Sequence, residues 1–181
     1  MLVIDVPARD DYDEETSRFI AHDAFTVRLE HSLVSMSKWE AKYCIPFLDS
    51  KEKTDEQTLD YIVMMDLDET GFDPNLLTSE NIAAINDYVS AKMTATVFSE
   101  LPGAQPSRAS SEFVTSEIIY YWMVALNIPF ECQNWHINRL LTLIKVCNQK
   151  NQPAKKMSPK DLRSRQRALN AQRRAQLGTS G

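Results

Sequence analysis

Nine consecutive apolar residues, Ile118-Ile119-Tyr120-Tyr121-Trp122-Met123-Val124-Ala125-Leu126, constrain what this chain can fold into more than any other feature. The run is less than half of the roughly 20 residues that a membrane-crossing helix needs, so no transmembrane segment is expected. Thr115-Ser116-Glu117 offers a cap before it, and Asn127-Ile128-Pro129 breaks it. A helix that is apolar on nearly every side has to be surrounded by others. This segment is therefore expected to be the central helix of a mainly α fold.

The segments around it carry helical spacing too. Met36, Trp39 and Tyr43 fall at i, i+3 and i+7 on one face, with Lys38 and Lys42 on another, until Pro46 stops the helix. Thr54-Asp55-Glu56-Gln57 reads as a capping box ahead of the apolar stretch that starts at Leu59. A helix starting at Thr78 or Ser79 places Ile82, Ile85, Val89 and Met93 on one stripe and is expected to end near Thr94. Beyond Pro129, Ile137, Leu140, Leu141 and Ile144 face away from Asn138, Thr142, Lys145 and Gln149, and this amphipathic helix is expected to pack on the central one. Pro102-Gly103-Ala104-Gln105-Pro106-Ser107 is the most convincing internal loop. Only the N-terminus reads as strand: Leu2-Val3-Ile4-Asp5-Val6 is β-branched and Phe25-Thr26-Val27-Arg28-Leu29 alternates at period two. These two form a small hairpin within about 1–30, bridged by the acidic stretch Asp10-Asp11-Tyr12-Asp13-Glu14-Glu15, which reads as a solvated loop.

Charge divides the chain in two. Residues 150–181 hold nine of the 20 Lys and Arg against the single acid Asp161, a balance of +8, while 1–149 carries 11 basic and 24 acidic residues, a balance of −13. The expected organisation is one acidic globular domain over 1–149, with helices in about 33–148, followed by a basic linker and helical arm over 150–181. Within the arm Ser158-Pro159 starts a helix, Asp161 suits its positive end and Gly178 stops it, while Leu162 and Leu169 offer too little apolar surface to dock it firmly. The pattern shows no internal repeat and no low-complexity tract.

Signals for chemistry are weak. Asp66-Leu67-Asp68-Glu69-Thr70-Gly71 begins like a calcium loop, but Leu77 stands where a bidentate Glu is needed and Pro74 interrupts it. Cys132 and His136 at i and i+4, with Cys147 near the same face, are three possible ligands, yet no second pair completes a structural zinc site. His22, His31 and His136 are the only imidazoles, and no nucleophile motif or phosphate-cradling glycine loop accompanies them, so neither enzyme activity nor a cofactor is expected. The odd set Cys44, Cys132 and Cys147 lies in apolar runs, and 1–6 lacks a secretory n-region, which points to a reducing cytosol.

Several runs resemble one known family: Glu30-His31-Ser32-Leu33-Val34-Ser35-Met36-Ser37-Lys38-Trp39-Glu40, Ile118-Ile119-Tyr120-Tyr121-Trp122-Met123, Pro129-Phe130-Glu131-Cys132 and Trp135-His136-Ile137-Asn138-Arg139-Leu140-Leu141-Thr142-Leu143-Ile144. The likeness continues through Lys155-Lys156-Met157-Ser158 and Arg167-Ala168-Leu169-Asn170-Ala171-Gln172-Arg173-Arg174. It is to the tail assembly chaperones of tailed bacteriophages. The resemblance implies a protein made beside the tape measure gene in the cytoplasm of the infected bacterial host, coating the apolar tape measure protein and leaving before the tail is finished. It implies no cofactor and no catalytic residue.

A role of this kind needs a partner-binding surface. Trp39, Tyr43, Tyr120, Tyr121, Trp122 and Trp135 are the aromatic candidates, since aromatics bury large area for few rotatable bonds, although each such residue is more often core than surface. Arg163, Arg167, Arg173 and Arg174 are the basic candidates. Two other readings remain open: a structural tail or baseplate component retained in the virion, and a nucleic-acid-binding regulator using the basic arm, which lacks aromatics for stacking bases. Another tail protein as partner, and a homo-oligomer, stay open as well.

Overall fold

The computed structural model describes residues 1–14, 17–49, 51–98, 113–151, 163, 166, 167, 169, 170, 173 and 174. The expected loop at 102–107, the helix start at 158–159 and the stop at Gly178 lie outside them. The chain divides into two units, Met1–Cys147 and Asn148–Gly181.

Among the described residues the order is β1 (Leu2–Val6), β2 (Arg9–Asp13), β3 (Arg18–His22), β4 (Phe25–Leu29), α1 (Leu33–Tyr43), α2 (Asp55–Met64), α3 (Ser79–Ser90), α4 (Ser116–Ala125) and α5 (Ile137–Asn151). Short 3-10 turns occupy Pro74–Leu76 and Phe130–Asn134. The mainly α expectation is thereby corrected: five helices share the chain with four strands in two antiparallel two-stranded sheets. The expected hairpin is present as β1 paired with β4, Leu2 opposite Leu29 and Val6 opposite Phe25. The expected acidic loop is instead a second ribbon, β2 paired with β3 from Arg9 opposite His22 to Asp13 opposite Arg18. Cross-strand pairing of Tyr12 with Phe19, and an ion pair of Arg9 with Asp11, offset the acid-on-acid repulsion that argued for a loop.

The β1–β4 sheet buries one face. Ile4, Val6, Val27 and Leu29 alternate inward as the period-two pattern requires, and α3 packs along β1. The outer edge of β4 is covered at its C-terminal end: Glu30 N–H donates to the Met65 carbonyl and Leu67 N–H to the Arg28 carbonyl, both at 2.9 Å. Such coverage removes an exposed ladder of backbone groups.

The helix that other elements gather around is α1, not α4. Leu33, Met36 and Trp39 on α1 are wholly buried, and α2, α4 and the Phe130–Asn134 turn all pack on α1. A capping box between Ser32 and Ser35 opens it, and Cys44 in the left-handed region, at φ 54°, closes it. The capping boxes of α2 (Thr54 with Gln57) and α3 (Thr78 with Asn81) are both formed. α3 ends at Ser90, so Met93 falls outside it and is exposed, which shortens the stripe to Ile82, Ile85 and Val89. On α5, Ile137, Leu140 and Ile144 are buried, as the amphipathic pattern requires.

In the second unit Arg163, Gln166, Arg167, Leu169, Asn170, Arg173 and Arg174 are helical and exposed.

Candidate protein-binding face

Helix α4 has no side-chain cap of its own, because Thr115 makes no capping hydrogen bond. Glu40 of α1 does that work: its Oε2 accepts the Ser116 N–H and its Oε1 accepts the Phe47 N–H, each at 2.7 Å. A buried carboxylate thereby joins α1, the turn after it and the positive N-terminus of α4. This fixes which side of α4 faces inward.

The inward side is narrow. Ile119 and Met123 are fully buried, whereas Tyr121 is 68% and Val124 59% exposed, with Ala125 exposed beside them. The expectation of a helix enclosed on all sides is thus overturned, since α4 packs mainly on α1 while Tyr121, Val124 and Ala125 on its far side are exposed. Ile118 and Trp122 on one flank and Tyr120 on the other are half-buried. Tyr120 donates its hydroxyl to Gln133 Oε1 at 3.0 Å, and its ring lies 6.4 Å from that of Phe130, itself 55% exposed. The result is a contiguous apolar strip from α4 onto the Phe130–Asn134 turn, the kind of surface that soluble proteins keep for a partner.

The other candidates lie elsewhere. Trp39 is 1% exposed, donates Nε1–H to the Gln57 carbonyl at 2.9 Å and packs edge-on against Phe47, which makes it core. Tyr43 packs against Trp39, the rings tilted and 4.9 Å apart, and donates its hydroxyl to Asp60, which also holds Lys42. Trp135 is half-buried beneath the Arg139 guanidinium, 4.0 Å from its ring centre. Of the six aromatics, Tyr121 alone is exposed; Val124 and Phe130 were missed by sequence reasoning. A signal was present for Val124, since inward residues four apart leave the rest of an all-apolar helix facing out unless another element arrives, whereas Phe130 lies in the turn beyond the helix, where that spacing says nothing.

The ligand-like clusters are engaged internally. Asp66 is buried, and its oxygens accept the N–H of Asp68 and both the N–H and hydroxyl of Thr70, bracing the 66–71 turn. Asp68 pairs with Arg28 and Glu69 with Lys38, and each partner holds the carboxyl below the usual range, chiefly by hydrogen bonding. Among the described residues no group of three or more His, Cys, Asp or Glu could hold a metal ion.

His31 and His136 form a buried pair, their rings edge-on at 5.0 Å. His31 Nδ1 lies 2.5 Å from the Tyr61 hydroxyl, and His136 Nε2 lies 3.0 Å from the Tyr88 carbonyl. Burial first, and His136 second, pull His31 down to about 3, so it is neutral in the folded protein. Burial raises the Tyr61 and Tyr88 hydroxyls, with Glu30 adding to both. The Glu30 carboxylate accepts the Tyr88 hydroxyl at 2.5 Å. The Ile137 N–H donates to the His31 carbonyl at 2.7 Å, so this polar cluster ties the start of α1 to α2, α3 and α5.

No helix among the described residues is long and apolar enough to cross a membrane. Neither a family model, nor a curated protein, nor a solved structure matches this chain.

Proposed function

We propose that this chain is a tail assembly chaperone of a tailed bacteriophage, acting in the cytoplasm of the infected host. It binds the tape measure protein and keeps it soluble during tail morphogenesis. The observation that carries the reading is the uncovered strip of Tyr121, Val124 and Phe130 beside half-buried Tyr120 and Trp122. A tape measure protein presents long apolar helical surface before a tube closes around it, and such surface aggregates unless something soluble covers it. The body's charge of −13 over 1–149 suits that purpose, because it keeps a chaperone–client complex dispersed while the strip makes the contact.

Co-expression with the tape measure protein of the same genome, followed by size exclusion, tests the reading. A soluble complex supports it. A client that still aggregates while this chain elutes alone refutes it and favours a structural tail component.

A further inference from the structure

The β2–β3 ribbon is a second surface, independent of α4 and of the proposed chaperone role. It is a two-stranded sheet by itself, separate from the β1–β4 sheet. Among the described residues neither of its outer edges makes a backbone hydrogen bond to another element. A lone two-stranded ribbon is marginal in water, and unpaired edges are templates for further strands.

The two edges differ sharply. Edge strand β2 reads Arg-Asp-Asp-Tyr-Asp, the charged composition that blunts an edge. Edge strand β3 reads Arg-Phe-Ile-Ala-His and contains no acid, lysine or proline. Its three central residues are all exposed, Phe19 at 73% and Ile20 at 47%. Three successive apolar residues on an uncovered edge strand are a pairing site, not a solvated loop.

We propose that β3 pairs antiparallel with β3 of a second copy of this chain, forming a symmetric dimer through a four-stranded sheet ordered β2-β3-β3-β2. Self-complementarity selects this occupant. A two-fold axis at Ile20 sets Ile20 opposite itself, Phe19 opposite Ala21 and Arg18 opposite His22, with no acid facing an acid. Phe19 and Tyr12, whose rings already meet at 5.1 Å, then continue across the join on one face, while the Ile20 pair fills the other. The alternative join through β2 sets Asp11 opposite Asp11, which like-charge repulsion disfavours. In the β3 join the two β2 strands lie three strand spacings apart, roughly 14 Å, beyond the screening length at physiological salt. The acidic edges therefore end outward and stop growth, so the assembly closes at two copies.

Sedimentation equilibrium of the full chain over a concentration series tests this, with circular dichroism and thermal unfolding to check the fold. The unaltered chain is expected to show a monomer–dimer equilibrium, and Ile20→Lys, which places two like charges on the axis, is expected to raise its dissociation constant about tenfold or more at unchanged melting temperature. A cross-link gives a second readout that survives any loss of stability in that variant. In a Cys44→Ser background, Ile20→Cys is expected to form a disulfide-linked dimer on mild oxidation, because directly opposed antiparallel residues have Cβ atoms about 4.5–5.5 Å apart. Asp11→Cys in the same background is expected to form no disulfide-linked dimer, because the two β2 strands lie at opposite edges of the joined sheet. A chain that is monomeric throughout, a dimer indifferent to Ile20→Lys, or cross-linking at position 11 in place of 20 would overturn the proposal.

Discussion

Glu40 and His31 show how single buried polar groups organise this molecule. Glu40 receives two backbone N–H groups from segments far apart in sequence, and no helical periodicity marks it, because a cap supplied from another helix leaves no local pattern. Glu40→Ala leaves both donors unsatisfied and is expected to lower stability by about 1–3 kcal/mol, read as a shift of the urea midpoint. Loss of less than about 0.5 kcal/mol would remove Glu40 from that role. His31 makes stability depend on pH. Its folded value of about 3 lies below the ordinary 6.5, so the two states have the same charge above pH 6.5. Below it the unfolded chain takes up a proton that the folded chain refuses, and stability falls by up to about 1.4 kcal/mol per pH unit as pH drops toward 3. Asp60, Asp68, Glu69 and Glu117, all held below their usual values, add their own losses only in the more acid range. Between pH 6.5 and 5, His31→Gln is therefore expected to flatten the slope of the denaturation midpoint, and an unchanged slope would contradict the assignment.

At the scale of elements, legibility followed the strength of local chemistry. The capping boxes at Thr54 and Thr78 and the stripe of Ile137, Leu140 and Ile144 were readable, because caps and amphipathic spacing are local. The β1–β4 pair was readable from alternation. The β2–β3 ribbon was not, since three acids in a row of five outweigh strand propensity until the cross-strand partners are known. α4 was readable as a helix and misplaced as the centre, because hydrophobicity sets only a need for cover, and what supplies the cover is a tertiary matter. Met93 failed as a stripe member for a similar reason: α3 stops at Ser90, and Asn138 Nδ2 donates to the Ala91 carbonyl at 2.8 Å just beyond it. If the outer face of α4 is a binding surface and not a structural one, the pair Tyr121→Asp and Val124→Asp is expected to change unfolding free energy by no more than about 1 kcal/mol, as substitutions at exposed sites do. A collapse of the fold in that double variant, seen by thermal unfolding, would mean that these side chains are structural.

For the whole molecule, the core lies within Met1–Cys147, built around α1 and closed by the β1–β4 sheet. Of the candidate site, Tyr121 was named from sequence, while Val124 and Phe130 became visible only from their exposure in the structure. The four arginines of the second unit, Arg163, Arg167, Arg173 and Arg174, are exposed and offer a basic surface. The most direct test of the central claim is therefore to map where a client touches. Backbone hydrogen exchange of the chain alone, and bound to its co-expressed tape measure protein, is expected to slow at 116–125 and 130–134, with little change in β1, β4 and α3. Protection confined to the residues beyond 148, with α4 exchanging as in the free chain, would contradict the claim and assign binding to the basic surface.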